Sequence, residues 1–390
     1  MSRYTKRGFF AILTSATSSI GNFALGIAIA RTSSAEEFGL FAISWIIYTV
    51  AAGVARAGIA ESAIANGSFG DAKRGLVAAV AFSIMAGALL VVVGALADSF
   101  YLQIVGMAMG GLVAFDYIRT VEVSIGSSRF ALVIDMAWSG SFLAVMACSV
   151  FVSVSSELLF IGWAFMPSLI VLILGWRRWV SEQRFTKRIF SAVRIPYAVD
   201  YLLVSGSAQF ALGTLGAIGS PTIVGAIRGA GTLLSPVTIV SGALRPVLLA
   251  KAGSELIGTV RGERRAMLRT SLGFLVVLVP SVVAISMLPD NLGRMLLGET
   301  WTLASIVVIP IGIEAAFALL TLAPFAAHRA YDRAKRIIVI RVAMAVLRVT
   351  SVIYFGLNYG AIGAAVAMAV ISAIGCAVWF LSYLQIGRRQ

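Results

Sequence analysis

The chain has 390 residues, of which 59% are apolar and only 12% are charged, and its formal net charge is +14 at pH 7. A soluble domain carries about twice that charged fraction, so the composition excludes a soluble globular protein. Apolar runs of about twenty residues, without the alternation of barrel strands, predict membrane-spanning helices.

Twelve apolar runs along the chain are long enough to cross a membrane as helices. Several are rich in Gly, Ala and Ser, small residues that let helices approach closely within lipid. The pattern predicts an all-α integral membrane protein. The predicted spans are 9–30, 38–60, 76–97, 100–118, 130–152, 157–176, 197–219, 222–244, 270–288, 303–326, 337–356 and 360–384.

Basic residues are unequally distributed between the two sets of connections. With the N-terminus placed inside, 25 of the 31 Lys and Arg residues fall on the inner side, including Arg119 after the fourth span, whereas only Arg31 and Arg294 lie in outer loops. Cytoplasmic loops carry such an excess. We therefore predict that both termini are cytoplasmic, and the positive charge needs no nucleic-acid partner.

The first run leaves an alternative open. A basic start and the small residues Ala28 and Ala30 also fit a cleaved signal peptide. The run is longer than a typical signal core and contains Asn22, which favours a retained span. Cleavage would leave the rest of the topology unchanged.

A long basic segment in the middle of the chain, RRWVSEQRFTKRIFSAVR, divides the predicted spans into two sets of six. This predicts an N-terminal six-helix lobe over 1–176, a basic cytoplasmic linker over 177–196 and a C-terminal six-helix lobe over 197–390. Equivalent places in the two sets carry similar short turns, SSAEEFGLFAIS (33–44) and GSPTIVGAIRGA (219–230). Such a recurrence is typical of transporters built from internal repeats.

Three segments carry a resemblance to a known family. ARTSSAEEFGLFAISW (30–45) resembles the signature after the first helix of polysaccharide-transport (Wzx-type) flippases, which belong to the multidrug/oligosaccharidyl-lipid/polysaccharide (MOP) superfamily with the MATE extruders and the lipid II flippase. The segments VGAIRGAGTLLSPVTIVSGALRPVLLAKAG (224–253) and MLLGETWTLAS (295–305) are similar to the family's eighth helix and its entry to helix ten.

The resemblance implies a MOP/MATE-like bundle of two six-helix lobes around a central cavity, working by alternating access. The implied substrate is an undecaprenyl-pyrophosphate-linked oligosaccharide, an O-antigen or exopolysaccharide repeat unit for lipopolysaccharide or other surface polysaccharide. It would be moved to the outer leaflet of the bacterial inner membrane. Membrane lipids, a polysaccharide polymerase and export machinery are the implied partners.

Charged residues within the predicted spans are candidates for the transport path, because a charge in lipid needs a partner or a cavity. Arg348 in span eleven and Glu314 in span ten both lie near mid-membrane, and we expect them either to face each other as a structural pair or to line the cavity. Arg341 lies two turns from Arg348 on the same helical face. A guanidinium binds phosphate bidentately, so these arginines suit a pyrophosphate.

Three further charges complete the candidate set. Arg228 lies near the outer end of span eight and Arg56 near the inner end of span two, and each is a second candidate for pyrophosphate or cavity contact. Snorkelling to the interface is the alternative role for such an arginine. Asp135, within span five, is a candidate for proton or sodium coupling. His328, the single histidine, falls in a basic loop and is expected to be solvated.

Two alternative functions differ in what they require. An ion-coupled multidrug extruder of the same fold needs several acids in its cavity, whereas the candidates here are rich in arginine. A polysaccharide polymerase or ligase needs a large outer loop, and the longest outer connection is 289–302. No Gly-rich nucleotide loop, Ser/His/Asp set or metal cluster is present in the sequence, which predicts a transporter without a bound cofactor or metal.

Overall fold

The computed structural model describes residues 3–61, 64, 69–148, 154–180, 195–236, 272–273, 275–276, 278–321, 324–325, 328 and 334–386. All regular structure within these ranges is helical. Nine of the described helices are long and apolar enough to cross a membrane. The predicted all-α membrane fold is confirmed.

Six helices cover the first half of the chain. Five of them begin one to seven residues before the predicted spans, and the fourth begins at the predicted residue, since polar residues can also form the first turns of a helix. Their bounds are α1 Arg3–Thr32, α2 Ala35–Ala55, α3 Phe69–Leu96, α4 Phe100–Ser124, α5 Ser128–Cys148 and α6 Ser156–Ile170.

Six further helices follow in the second half. The predicted spans 222–244 and 270–288 lie partly outside the described residues, as does most of the predicted linker 177–196. The bounds are α7 Ile195–Ile218, α8 221–236, α9 278–286, α10 Asp290–Leu297, α11 Trp301–Leu320 and α12 Ala334–Ile386.

The last helix, α12, contains both of the final predicted spans. They are separated at Gly360, which has φ 65° and ψ −151°. Glycine adopts a backbone conformation with positive φ at little cost, because glycine has no Cβ. Gly360 therefore ends one span and lets the chain begin the next almost at once.

Three π-helical segments extend or interrupt the regular helices: Arg56–Ala60 after α2, Val171–Val180 after α6, and Leu202–Gly206 within α7. In a π turn the hydrogen bond spans one more residue than in an α-helix, as in the bond from the Glu61 N–H to the Arg56 carbonyl. The extra residue rotates the side chains that follow it, and such turns are frequent at functional sites.

The chain forms two compact units. The first comprises Met1–Ser33 and Leu40–Gln209, where α3 packs on α4, α1 on α5, and α4 on α6. Its core is filled by large side chains such as Phe160, Trp163 and Tyr117. The second unit comprises Ser34–Gly39 and Phe210–Gln390, and α11 packs there against α12.

The interruption after α1 is a capping box. The Glu37 carboxylate accepts from the Ser34 N–H at 2.9 Å, and the Ser34 hydroxyl accepts from the Glu37 N–H at 3.2 Å. These bonds satisfy backbone donors that the start of a helix leaves without partners. The sequence SSAEEFG therefore ends one span and starts the next within a few residues.

The two similar turns noted in the sequence contact each other inside the second unit. A Cβ on Gly39 would overlap the carbonyl of Pro221, and a Cβ on Gly225 would lie 3.0 Å from the Ala35 carbonyl oxygen and 3.1 Å from the Gly39 nitrogen. Glycine at both positions lets the backbones touch, as is common between helices in lipid.

Candidate functional site

A cavity of about 150 Å³ lies among the helices of the first unit. Its lining combines three charged side chains with aromatic ones, contributed by α2, α4, α5 and α7, and polar residues from α1. The charged residues are Arg56, Asp116 and Arg119; the principal aromatic ones are Trp45, Tyr48, Trp138 and Tyr201.

Arg56 reaches this cavity from the end of α2. It is the first residue of the π turn Arg56–Ala60, and the four residues after it are buried. Its Nε donates to Oδ2 of Asp116 at 2.9 Å, while 41% of its side chain stays exposed. Arg56 is therefore held by a carboxylate on α4, and part of its side chain remains exposed.

Asp116 also binds a second arginine. The Arg119 Nη2 donates to the other carboxylate oxygen, Oδ1, at 2.8 Å, one turn further along α4. Residues three apart on a helix lie on the same face, so this pairing is built into the sequence spacing. A single buried carboxylate thus joins two guanidinium groups.

Asp135 on α5 completes the charged cluster. Its side chain is 0% exposed, and Oδ2 lies 3.9 Å from Nη1 of Arg119. Within the described part of the chain, neither oxygen of Asp135 has a hydrogen-bond partner. Arg56, Asp116, Arg119 and Asp135, hereafter the charged cluster, contain two basic and two acidic groups.

The aromatic wall of the cavity is anchored by Trp163 on α6. Its ring centroid lies 4.9 Å from that of Trp45 and 5.4 Å from that of Trp138, and the Trp138 Nε1–H donates to the Trp163 carbonyl at 3.1 Å. Tyr48 packs edge-on against both Trp45 and Trp163. Each ring of the wall is thus packed against at least one other ring.

Tyr201 closes another side of the cavity from α7. Its hydroxyl donates to the Thr49 carbonyl at 2.9 Å, across 152 residues of sequence. A Cβ on Gly53 would overlap the Tyr201 ring. The absence of a side chain at Gly53 is what admits the tyrosine against α2.

The second unit contains a separate polar set. The Arg348 Nη2 donates to the Ser372 hydroxyl at 3.2 Å, and that hydroxyl donates to Oε1 of Glu314 at 3.3 Å. The structure thus connects the mid-membrane candidates Arg348 and Glu314 through a serine.

The remaining predicted arginines also belong to the second unit. The Arg341 guanidinium lies 4.4 Å from the centroid of the Phe325 ring, a cation–π contact. Arg228 lies within α8, where its carbonyl accepts from the Thr232 hydroxyl at 2.9 Å. The predicted arginine set is therefore divided, with Arg56 in the first unit and Arg228, Arg341 and Arg348 in the second.

The expectation that His328 is solvated is wrong. Its side chain is buried, with Nδ1 2.8 Å from the Pro324 carbonyl and Nε2 2.9 Å from the Ser382 hydroxyl. The Trp379 ring packs edge-on against it. Burial lowers the pKa of the imidazole, although the Pro324 carbonyl acts in the opposite direction; the nearby Arg336 lowers it further.

Sequence reasoning placed Arg119 in an inner connection and did not select Asp116 as a site residue. Helix α4 instead continues through both to Ser124. An ion pair within a helix allows charges to remain inside a span. The spacing Asp-x-x-Arg could therefore have predicted that the helix continues through Arg119. Among the described residues, no group of three His, Cys, Asp or Glu side chains could hold a metal ion.

No known protein-family profile matches this chain, and no curated protein sequence does. Several solved structures are similar to it. The lipid II flippase MurJ, in an inward closed conformation, has a TM-score of 0.71 with 13% identity, covering 97% of this chain and 90% of that one. An inward-facing multidrug resistance MATE family transporter of the MOP superfamily has a TM-score of 0.66 with 12% identity, covering 97% and 99%.

A MOP superfamily transporter from Pyrococcus furiosus is also similar, with a TM-score of 0.59 and 12% identity over 98% of this chain and 95% of that one. At such identities the similarity concerns the fold. The chain is an all-helical, multi-pass membrane protein with the fold of the MOP superfamily transporters.

Proposed function

We propose that this protein moves an undecaprenyl-pyrophosphate-linked oligosaccharide, the repeat unit of an O-antigen or exopolysaccharide, from the inner to the outer leaflet of the bacterial inner membrane. The observation that carries the proposal is the charged and aromatic cavity among the helices of the first unit. A saccharide headgroup needs hydrogen-bonding groups and flat apolar surfaces that lipid cannot supply.

Transport would proceed by alternating access of the two units. Arg348, Arg228 and Arg341 of the second unit are the proposed contacts of the pyrophosphate, since a planar guanidinium matches two phosphate oxygens. The fold is compatible with this role, because the similar structures include a lipid II flippase. A polymerase and export machinery are the proposed partners.

An ion-coupled multidrug extruder is the second candidate. Asp135 favours it, because a buried carboxylate without a hydrogen-bond partner is a natural acceptor for a proton or sodium ion. A polymerase or ligase has less support. The outer segment that it would need for catalysis folds largely into α10 and the short turn Gly298–Thr300.

The test is made in a strain that lacks the chain, complemented by wild type, Arg348→Ala or Arg348→Lys. Surface polysaccharide and lipid-linked precursor are measured together, with protein level as the control. The proposal expects the deletion and Arg348→Ala to lose polymer and to trap precursor inside. Intact polysaccharide together with altered drug tolerance in the deletion strain would favour the extruder.

A further inference from the structure

The cavity of the first unit differs chemically from a phosphate site. We infer that it binds an uncharged sugar ring of the transported headgroup, and that the pyrophosphate is bound elsewhere. This inference rests on the proposed function and assigns one part of the substrate to one site.

Charge balance is the first argument. Asp116 uses one oxygen for Arg56 and the other for Arg119, at 2.9 and 2.8 Å, and Asp135 lies behind Arg119 at 3.9 Å. A phosphate approaching either guanidinium would come close to a fixed carboxylate. Like charges at such separations repel strongly where water is scarce.

Hydrogen-bonding capacity is the second argument. A sugar hydroxyl both donates and accepts, whereas a phosphate at neutral pH mainly accepts. Each Asp116 oxygen accepts one arginine bond and keeps a second lone pair as an acceptor, the Arg56 side chain lines the cavity beside it as a donor, and Asn22 adds an amide with both functions. Neighbouring donors and acceptors of this kind match the hydroxyls of a sugar.

The aromatic wall and the volume point the same way. Trp45, Tyr48 and Trp138 line the cavity and are held in place by Trp163. Ring faces carry negative charge density and attract the slightly positive C–H groups of a sugar face. A cavity of about 150 Å³ can hold benzene, so this cavity has room on the scale of one sugar ring.

The second unit offers the contrasting environment. Its intramembrane candidates are Arg228, Arg341 and Arg348, with Glu314 as the acid that is bonded to Arg348 through Ser372. Basic groups are in excess in this set, which suits a pyrophosphate.

The experiment uses the full-length protein in lipid nanodiscs and measures its tryptophan fluorescence. N-acetylglucosamine, galactose and rhamnose are titrated separately, each with and without inorganic pyrophosphate. Variants Trp138→Phe and Asn22→Ala alter the cavity. Trp301→Phe, in α11 of the second unit, is the matched control for a buried tryptophan.

At least one sugar is expected to change the fluorescence saturably, and pyrophosphate should not displace it. The affinity should fall roughly threefold to tenfold in Trp138→Phe and also fall in Asn22→Ala, with no change in Trp301→Phe. Displacement of the sugar by pyrophosphate, or no response to any of the three sugars, would overturn the inference.

Different outcomes would contradict the proposed function and this inference. If the cavity binds sugar but the deletion strain exports polysaccharide normally, the sugar site stands and the flippase assignment is wrong. If export depends on the chain but pyrophosphate competes at the cavity, only the sugar assignment is wrong.

Discussion

Arg56, which directly follows α2, donates to Asp116 on α4 at 2.9 Å, across 60 residues of sequence. Arg56 is the first residue of a π turn, and its side chain lines the cavity of the first unit. Asp116 also accepts a hydrogen bond from Arg119, so two arginines share this one carboxylate. Removing the central carboxylate should therefore affect both arginines.

Asp116→Asn is expected to lower the stability of the protein. Two guanidinium groups would lose their carboxylate; breaking a buried pair costs about 3–5 kcal/mol, and the half-exposed Arg56 reduces the expected loss to roughly 2–3 kcal/mol. Thermal unfolding in detergent measures the effect. Asp98→Asn, the same change at an exposed loop residue with φ 48°, is the control and should have little effect. Equal melting temperatures for both variants would contradict the central role of Asp116.

Gly39→Ala is expected to destabilise the contact between the two turns. The added Cβ would overlap the backbone carbonyl of Pro221, which cannot move as a side chain can. Such overpacking costs about 1–3 kcal/mol. Gly162→Ala in α6 is the control, because its Cβ would meet no atom within 4 Å and alanine favours a helix. Melting curves of the two variants should diverge; similar curves would show that the turns are loosely packed.

Ser372→Ala is expected to reduce transport without loss of the folded protein. The serine hydroxyl connects Arg348 to Glu314, and a hydrogen bond to a charged group contributes about 1.5–3 kcal/mol, so the rate is expected to fall roughly tenfold or more. Precursor accumulation in the complemented strain is the measurement. Ser305→Ala, whose hydroxyl donates within its own helix to the Thr302 carbonyl, is the matched control. Full activity of Ser372→Ala would make this connection dispensable.

Asp135→Asn tests the proposed coupling role of this carboxylate and is expected to abolish any dependence of transport on an ion gradient. The variant keeps the size of the buried side chain but cannot bind a proton or sodium ion as a carboxylate does. Substrate-induced proton and sodium fluxes across the membrane of inverted vesicles are the measurement, with Asp98→Asn as the control. An Asp135→Asn protein whose fluxes equal those of the wild type would place coupling elsewhere.

His328 is expected to make stability depend on pH. Its pKa in the folded protein is below the unfolded value of about 6.5. The unfolded chain therefore binds more protons than the folded one, and stability falls as the pH drops through and below about 6.5. Melting temperatures measured from pH 5 to 8 should show this slope for the wild type and a weaker one for His328→Gln. The same slope in both proteins would assign the pH dependence to other groups.

The sequence by itself determined the helical class and most span positions, because the hydrocarbon thickness fixes how many apolar residues a helix needs. It also contained the reason for the break after α1, since Ser34 and Glu37 have capping-box spacing and cap the helix through local contacts. Both features depend on residues close together in the chain.

Only the tertiary structure decided which charges meet. Arg56 and Asp116 are 60 residues apart. The hydrogen bond between His328 and Ser382 of α12 joins residues that are 54 positions apart. Span boundaries read from hydrophobicity end where charges begin, so Arg119 was assigned to a connection. In the fold, Asp116 and Asp135 balance the charge of Arg119 and the helix continues through it. The cost of a charge in lipid depends on its neighbours in space, and a linear pattern does not contain them.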